Sequence, residues 1–95
     1  MYHITEPETI KVLIKGRVQG VYFRAFTKKA ADSLNLTGYV KNLRDGNVEA
    51  LVQGNKKQLD QMKMQLRRGP ATAIIDSVTI EKVKSDIQYR DFVIK

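Results

Sequence analysis

Apolar and polar positions change period several times along this chain, and each change marks an element. Residues 1–9 are polar and contain Pro7, which predicts a flexible N-terminal extension over residues 1–8. From Thr9 to Lys15 the run is β-rich, with Ile10, Val12 and Ile14 alternating, so a strand is expected that Gly16 stops. Gly16 to Gly20 then reads as a loop. From about Tyr22 to Leu34 the period lengthens. Phe23, Phe26, Ala30 and Leu34, with Ala31 beside them, share one face of a predicted helix, while Lys28, Lys29 and Asp32 point outward. Asn35 suits a left-handed stop, with Leu36 packing back on the last turn.

Two short strands follow, Thr37–Lys41 and Val48–Gln53, joined through an Asp45-Gly46 bend. In the second, Val48, Ala50 and Val52 alternate with Glu49, Leu51 and Gln53. Asn55 is placed as a helix N-cap with Gln58 completing a capping box, and Leu59, Met62 and Leu66 form the apolar stripe up to Gly69-Pro70. Strand-like sequence resumes at Ile74, is clearest over Val78–Val83, and returns in Phe92-Val93-Ile94. The order predicts an α+β fold: a ferredoxin-like sandwich, βαββαβ with a short extra C-terminal strand. Both helices then cover one face of a mainly antiparallel sheet.

Ninety-five residues make one small domain, and 42% hydrophobic with 28% charged residues is globular rather than disordered composition. No cysteine is present, which excludes a disulfide framework, a thiolate nucleophile and a cysteine zinc site. The single histidine, His3, stands near the first residue, so a Ser-His-Asp triad or a multi-histidine metal site is excluded as well. The net charge of +7 favours anionic ligands, and its distribution sharpens that. Between Lys11 and Ala31 stand six bases and no acid; Lys56, Lys57, Lys63, Arg67 and Arg68 are accompanied only by Asp60. No apolar run approaches the roughly 20 residues of a membrane span. Met1 to Glu8 lacks a signal-peptide core, so a soluble cytoplasmic protein, monomeric by default, is expected.

The segment richest in chemistry is Gly16-Arg17-Val18-Gln19-Gly20-Val21-Tyr22-Phe23-Arg24. Two glycines between a strand and a helix let the backbone curl until successive N–H groups converge on an anion, with the positive end of the helix dipole behind them. Arg24 in the first helical turn opposes that dipole, and a bound phosphate would explain its presence. On residue type alone the same segment is also an ordinary connection, with Arg17, Lys28 and Lys29 as solvated charges and Phe23 and Phe26 as core.

A second segment, Gly38-Tyr39-Val40-Lys41-Asn42 through Gly46-Asn47-Val48 to Gly54, changes the balance. Together the two resemble the signature of the acylphosphatase family. The pattern G-x-V-Q-G-V-x-F-R is met in full by Gly16 to Arg24. Gly-aromatic-Val-Lys-Asn, three residues, Gly-x-Val, five residues, Gly is met in full by Gly38 to Gly54. Gly69-Pro70 with Ala73 also matches, and the likeness spans roughly Thr9 to Ile94, implying an acylphosphatase-like domain over residues 9–95.

The resemblance implies hydrolysis of the carboxyl-phosphate bond of small acyl phosphates to a carboxylate and inorganic phosphate, without metal or other cofactor. It makes Arg24 the phosphate-binding arginine and Asn42 the residue that orients the attacking water. Gln19, Gly20, Val21, Tyr22 and Phe23 become the loop whose N–H groups hold phosphoryl oxygens. Tyr22 either touches the substrate or shields the loop. Asp45 reads as a turn residue. Expected partners are thus a small acyl phosphate and phosphate, with no nucleic acid and no membrane.

The rival reading is a non-catalytic ferredoxin-like anion- or RNA-binding module. RNA platforms of this fold present aromatic residues on the two central strands, and Ile10–Lys15 and Val48–Gln53 carry none. A degenerate acylphosphatase-like domain of a larger enzyme is a further alternative, against which the matching Arg24 and Asn42 stand.

Overall fold

Seven elements follow one another in the order expected from the pattern. The computed structural model describes residues 7–95. They are β1 (Glu8–Arg17), α1 (Phe23–Ser33), β2 (Thr37–Asn42), β3 (Val48–Gly54), α2 (Lys56–Arg68), β4 (Ile74–Val83) and β5 (Phe92–Ile94). The sheet order is β4-β1-β3-β2-β5, antiparallel except for the parallel β2–β5 pair. Register places Ile10, Val12 and Ile14 beside Val52, Ala50 and Val48, so one face of β1 and β3 is continuously apolar. Against it pack Phe23 and Ala31 of α1 and Leu59, Met62 and Leu66 of α2, all buried. Each such fully buried Leu, Met or Phe contributes about 1.5–3 kcal/mol. The ferredoxin-like sandwich is therefore the observed fold.

Four details depart from the sequence pattern. First, Gly16 does not end β1. The β1–β4 ladder slips between Lys15 and Gly16, skips Asp76, and continues through Gly16 and Arg17 opposite Ile75 and Ile74. Gly16 sits at φ 137°, and a Cβ there would collide with the Ile74 carbonyl, so glycine is what lets the bulged ladder continue. At its other end β1 begins at Glu8, one residue ahead of the expected boundary; the first six residues of the expected extension lie outside those described.

Second, the buried face of α1 is Phe23, Thr27 and Ala31, rather than one centred on Phe26. Phe26 is half-buried, its ring tilted against Phe23 at 6.1 Å. Thr27 takes the core position because its hydroxyl donates to the Phe23 carbonyl at 2.8 Å, so no polar atom is left orphaned. Third, Gln53 is buried despite lying on the polar side of the alternation. Its amide nitrogen donates to the Ile87 carbonyl at 2.6 Å and its oxygen accepts from the Tyr89 N–H at 2.9 Å, which pins the segment before β5. Fourth, Lys28 is more than a solvated charge, since its Nζ donates to the Phe92 carbonyl at 2.8 Å and ties α1 to β5.

The helix ends follow their residues. Asn35 is left-handed at φ 56°, and the Leu36 N–H reaches the Ala31 carbonyl at 2.9 Å while its side chain is buried. Asn55 accepts from the Gln58 N–H, and the Gln58 side chain accepts in return from the Asn55 N–H, the reciprocal cap expected.

On the face away from the helices, the paired strands β1 and β3 present Lys11, Leu13, Glu49 and Leu51, none of them aromatic. The Lys11 and Lys41 ammonium groups each lie 3.5 Å from the Glu49 carboxylate, which also accepts from the Tyr39 hydroxyl at 3.2 Å. Burial first, and then the adjacent Glu49 charge, push the Tyr39 phenol up to about 12.

This topology gathers one end of the sheet. Ile14, where the β1–β3 pairing ends, and Asn42 at the end of β2 both lie opposite Val48, and Ile94 of β5 lies opposite Val40. The β1–α1 loop, the β2–β3 turn and the end of β5 thus meet.

Candidate active site

The loop from Val18 to Tyr22 is built on two left-handed residues, Gly20 at φ 74° and Tyr22 at φ 64°, ψ 21°. Glycine adopts that conformation freely; for tyrosine it costs on the order of 1–2 kcal/mol. Left-handed residues at alternate positions curl the chain as in an anion-binding nest. The N–H groups of Gln19, Gly20, Val21 and Tyr22 have no main-chain acceptor among the described residues. Phe23, Arg24 and Ala25 open α1 and have no intrahelical acceptor; the first closed bond runs from the Phe26 N–H to the Tyr22 carbonyl at 3.0 Å. The Val21 carbonyl is held from outside the loop by the Thr72 hydroxyl at 2.7 Å.

Positive potential accumulates here. α1 has no acid in its first turn and no side-chain cap, and Arg24 stands in that turn. A cation at this helix end costs a few tenths to about 1 kcal/mol. The guanidinium is steadied by its Nη1 donating to the Lys95 main-chain oxygen at 3.0 Å, just past β5. That bond engages one nitrogen and leaves other donors of the planar fork for a tetrahedral anion.

Asn42 approaches from the other side. It ends β2 opposite Val48, before a turn closed by the Leu43 N–H to the Asn47 carbonyl at 2.8 Å. Asp45 is a turn residue, as expected: its carboxylate accepts from the Asn47 N–H at 3.0 Å. Gly20, Tyr22, Phe23, Arg24, Asn42 and Ile94 line one open cleft of about 350 Å³. This is near the small end of ligand pockets, roughly 300–1,000 Å³. Tyr22 is 80% exposed and, with Ile94, gives the cleft a partly apolar lining.

Of the site residues expected from sequence, Arg24, Asn42, Gly20, Tyr22 and Phe23 come together on the cleft wall. Gln19 and Val21 belong to the loop but are absent from that wall. Val21 packs partly on the core, and Gln19 sends its amide nitrogen to the Leu43 and Asn47 carbonyls at 2.7 and 2.8 Å. Sequence reasoning did not find Thr72, Ile94 or the Lys95 carbonyl. The contacts of Thr72 and Lys95 link residues 51 and 71 positions apart, and no local pattern encodes them. Among the described residues no group of three or more His, Cys, Asp or Glu is placed to hold a metal ion, and no helix is long and apolar enough to cross a membrane.

Comparison with known proteins identifies the family. The family model described as Acylphosphatase matches residues 10–94. The chain is 46% identical over 77 residues to an acylphosphatase of Syntrophotalea carbinolica, covering 81% of this chain and 84% of that protein. It is 44% identical over 85 residues to an acylphosphatase of Bordetella parapertussis, covering 90% of each. The solved structure of an acylphosphatase from Coxiella burnetii superposes with a TM-score of 0.88 at 36% identity, over 95% of this chain and 94% of that one.

Proposed function

The chain belongs to the acylphosphatase family, and on that premise we propose that the cleft between the Val18–Tyr22 loop and the end of β2 is where it hydrolyses small acyl phosphates to a carboxylate and inorganic phosphate. One observation carries the assignment of roles. Arg24, in the first turn of α1, and Asn42, at the end of β2, line the same cleft as the curled loop.

Phosphoryl transfer is mostly positioning and stabilisation of charge on the equatorial oxygens. The loop N–H groups and the Arg24 guanidinium do both, and a single lost donor of this kind costs about 2.7–4 kcal/mol in the barrier. Asn42 does not titrate near neutral pH, but its amide oxygen accepts from a water and aims it at phosphorus. As water attacks, the bond between phosphorus and the acyl oxygen breaks and the carboxylate leaves. It is a good enough leaving group to need no general acid, and the proton of the water passes to a phosphoryl oxygen of the substrate. Positive charge comes from the protein itself, so the reading requires no metal. Its setting is inferred to be a cytoplasmic monomer acting on freely diffusing substrate; the +7 charge supports solubility and the monomeric state.

The test is steady-state hydrolysis of acetyl or benzoyl phosphate. Arg24→Ala is expected to abolish turnover and raise KM steeply. Asn42→Ala is expected to depress kcat while inorganic phosphate still competes. Near-normal kinetics in Arg24→Ala, or loss of phosphate binding in Asn42→Ala, contradicts the assigned roles.

A further inference from the structure

The two halves of this site sit on different parts of the sheet. The anion cradle follows β1 and Asn42 ends β2, with β3 lying between the two strands. Something must fix the spacing across that gap, because in-line attack tolerates little error in where the water stands relative to phosphorus. One side chain crosses it. Gln19, inside the cradle loop, donates from its single amide nitrogen to two carbonyls, Leu43 at 2.7 Å and Asn47 at 2.8 Å. Leu43 follows Asn42 directly, and Asn47 closes the same turn.

The chemistry suits glutamine. Its carboxamide nitrogen carries two hydrogens, one for each carbonyl, whereas a glutamate carboxylate would face the same two oxygens with no donor. Both carbonyls already accept a main-chain bond within the turn, from Gly46 at 3.2 Å and Leu43 at 2.8 Å. The turn therefore closes without Gln19. What the staple adds is the position of that turn against the loop.

We propose that the Gln19 side chain is a positioning residue, setting the distance and angle between Asn42 and the phosphate cradle. This rests on the reading of Arg24, the loop amides and Asn42 given above. Gln19 then acts on the reaction through Asn42, and its removal misplaces the water while leaving the cradle able to bind phosphate.

A double-mutant cycle tests this. Gln19→Met keeps the length of the side chain and removes both donors; Gln19→Asn keeps the donors but is one methylene short, and serves if the first fails to fold. Each is combined with Asn42→Ala, and kcat, KM for acetyl phosphate and the inhibition constant of inorganic phosphate are measured. In the otherwise unaltered protein, either Gln19 substitution is expected to lower kcat by about ten- to a hundredfold, with the phosphate constant moving no more than about twofold. In the Asn42→Ala background the same substitution is expected to change kcat by less than about twofold, since the group it positions is gone. Equal losses in both backgrounds, or a phosphate constant that weakens in step with kcat, overturn the inference and leave the reading of the site intact. If Asn42→Ala alone leaves kcat unchanged, that reading fails, and the inference fails with it.

Discussion

The Thr72 hydroxyl donates to the Val21 carbonyl at 2.7 Å, from the segment between α2 and β4. A trans peptide sets its C=O and N–H on opposite sides, so holding the Val21 carbonyl also fixes the Tyr22 N–H facing away from Thr72. A loop donor that would otherwise turn freely is thereby oriented before any anion arrives. Thr72→Val preserves shape and removes the hydroxyl. Competitive inhibition by inorganic phosphate is expected to weaken about fivefold, the equivalent of one ordinary hydrogen bond, with Thr72→Ser near normal. Equal inhibition constants in the native protein and Thr72→Val would show that the clamp has no part in the cradle.

Two glycines of the same motif are predicted to behave differently. At Gly16 an added Cβ meets main-chain atoms, the Ile74 carbonyl and the Asp76 nitrogen at 2.8 Å, and φ is 137°. Nothing there is a flexible side chain that can move aside. Gly16→Ala is expected to cost about 3 kcal/mol or more in denaturant unfolding. At Gly20 an added Cβ meets nothing within 4 Å, and only the left-handed backbone opposes it, so Gly20→Ala is expected to cost about 1–2 kcal/mol. Similar losses at both positions would contradict the bulged pairing of β1 with β4.

Tyr39 gives the protein an alkaline signature. Its phenol is pushed up to about 12 by burial and by Glu49, above an ordinary value of 10. The folded state therefore holds this proton more tightly than the unfolded state does. The resulting stability is complete below about pH 10 and is lost as pH rises toward about 12. Phenolate absorbance should show one tyrosine titrating late, and Tyr39→Phe should flatten the fall in stability across that window. An unchanged slope in Tyr39→Phe would place its origin elsewhere.

Activity should respond little to pH or to chelators. The proposed chemistry uses a guanidinium, a carboxamide and main-chain N–H groups, none of which is a side-chain type that changes charge near neutral pH, so kcat is expected to vary little between about pH 5 and 8. EDTA is expected to leave it unchanged. A bell with a limb near 6.5 points instead to an imidazole-like base, and loss of activity in chelator to a required metal.

Much of this was legible in the sequence because the signals are local. Period changes located every element, and Asn35, Asn55 with Gln58, and Asp45-Gly46 announced their turns and caps through side-chain chemistry acting within a few residues. The nine residues from Gly16 to Arg24 carried both the loop and its arginine. What was hidden depends on contacts between distant segments. Gln19 was legible as a loop residue, but its amide finds the turn after Asn42 only once β3 has come between β1 and β2. Thr27 and Gln53 look like surface residues until the carbonyls and N–H groups that satisfy them are seen. Gly16 looked like a strand end because a glycine that stops a ladder and one that lets a bulge pass are the same letter.

The most direct measurement is a titration of the 15N-labelled protein with inorganic phosphate, followed by amide chemical shifts. The account predicts saturable shifts concentrated at Gly20 to Arg24 and at Asn42, largest for the N–H groups of the curled loop, and their loss in Arg24→Ala. Shifts centred instead on the lysines Lys56, Lys63 and Lys82 around the groove between α2 and β4, with the loop amides unmoved, would contradict it.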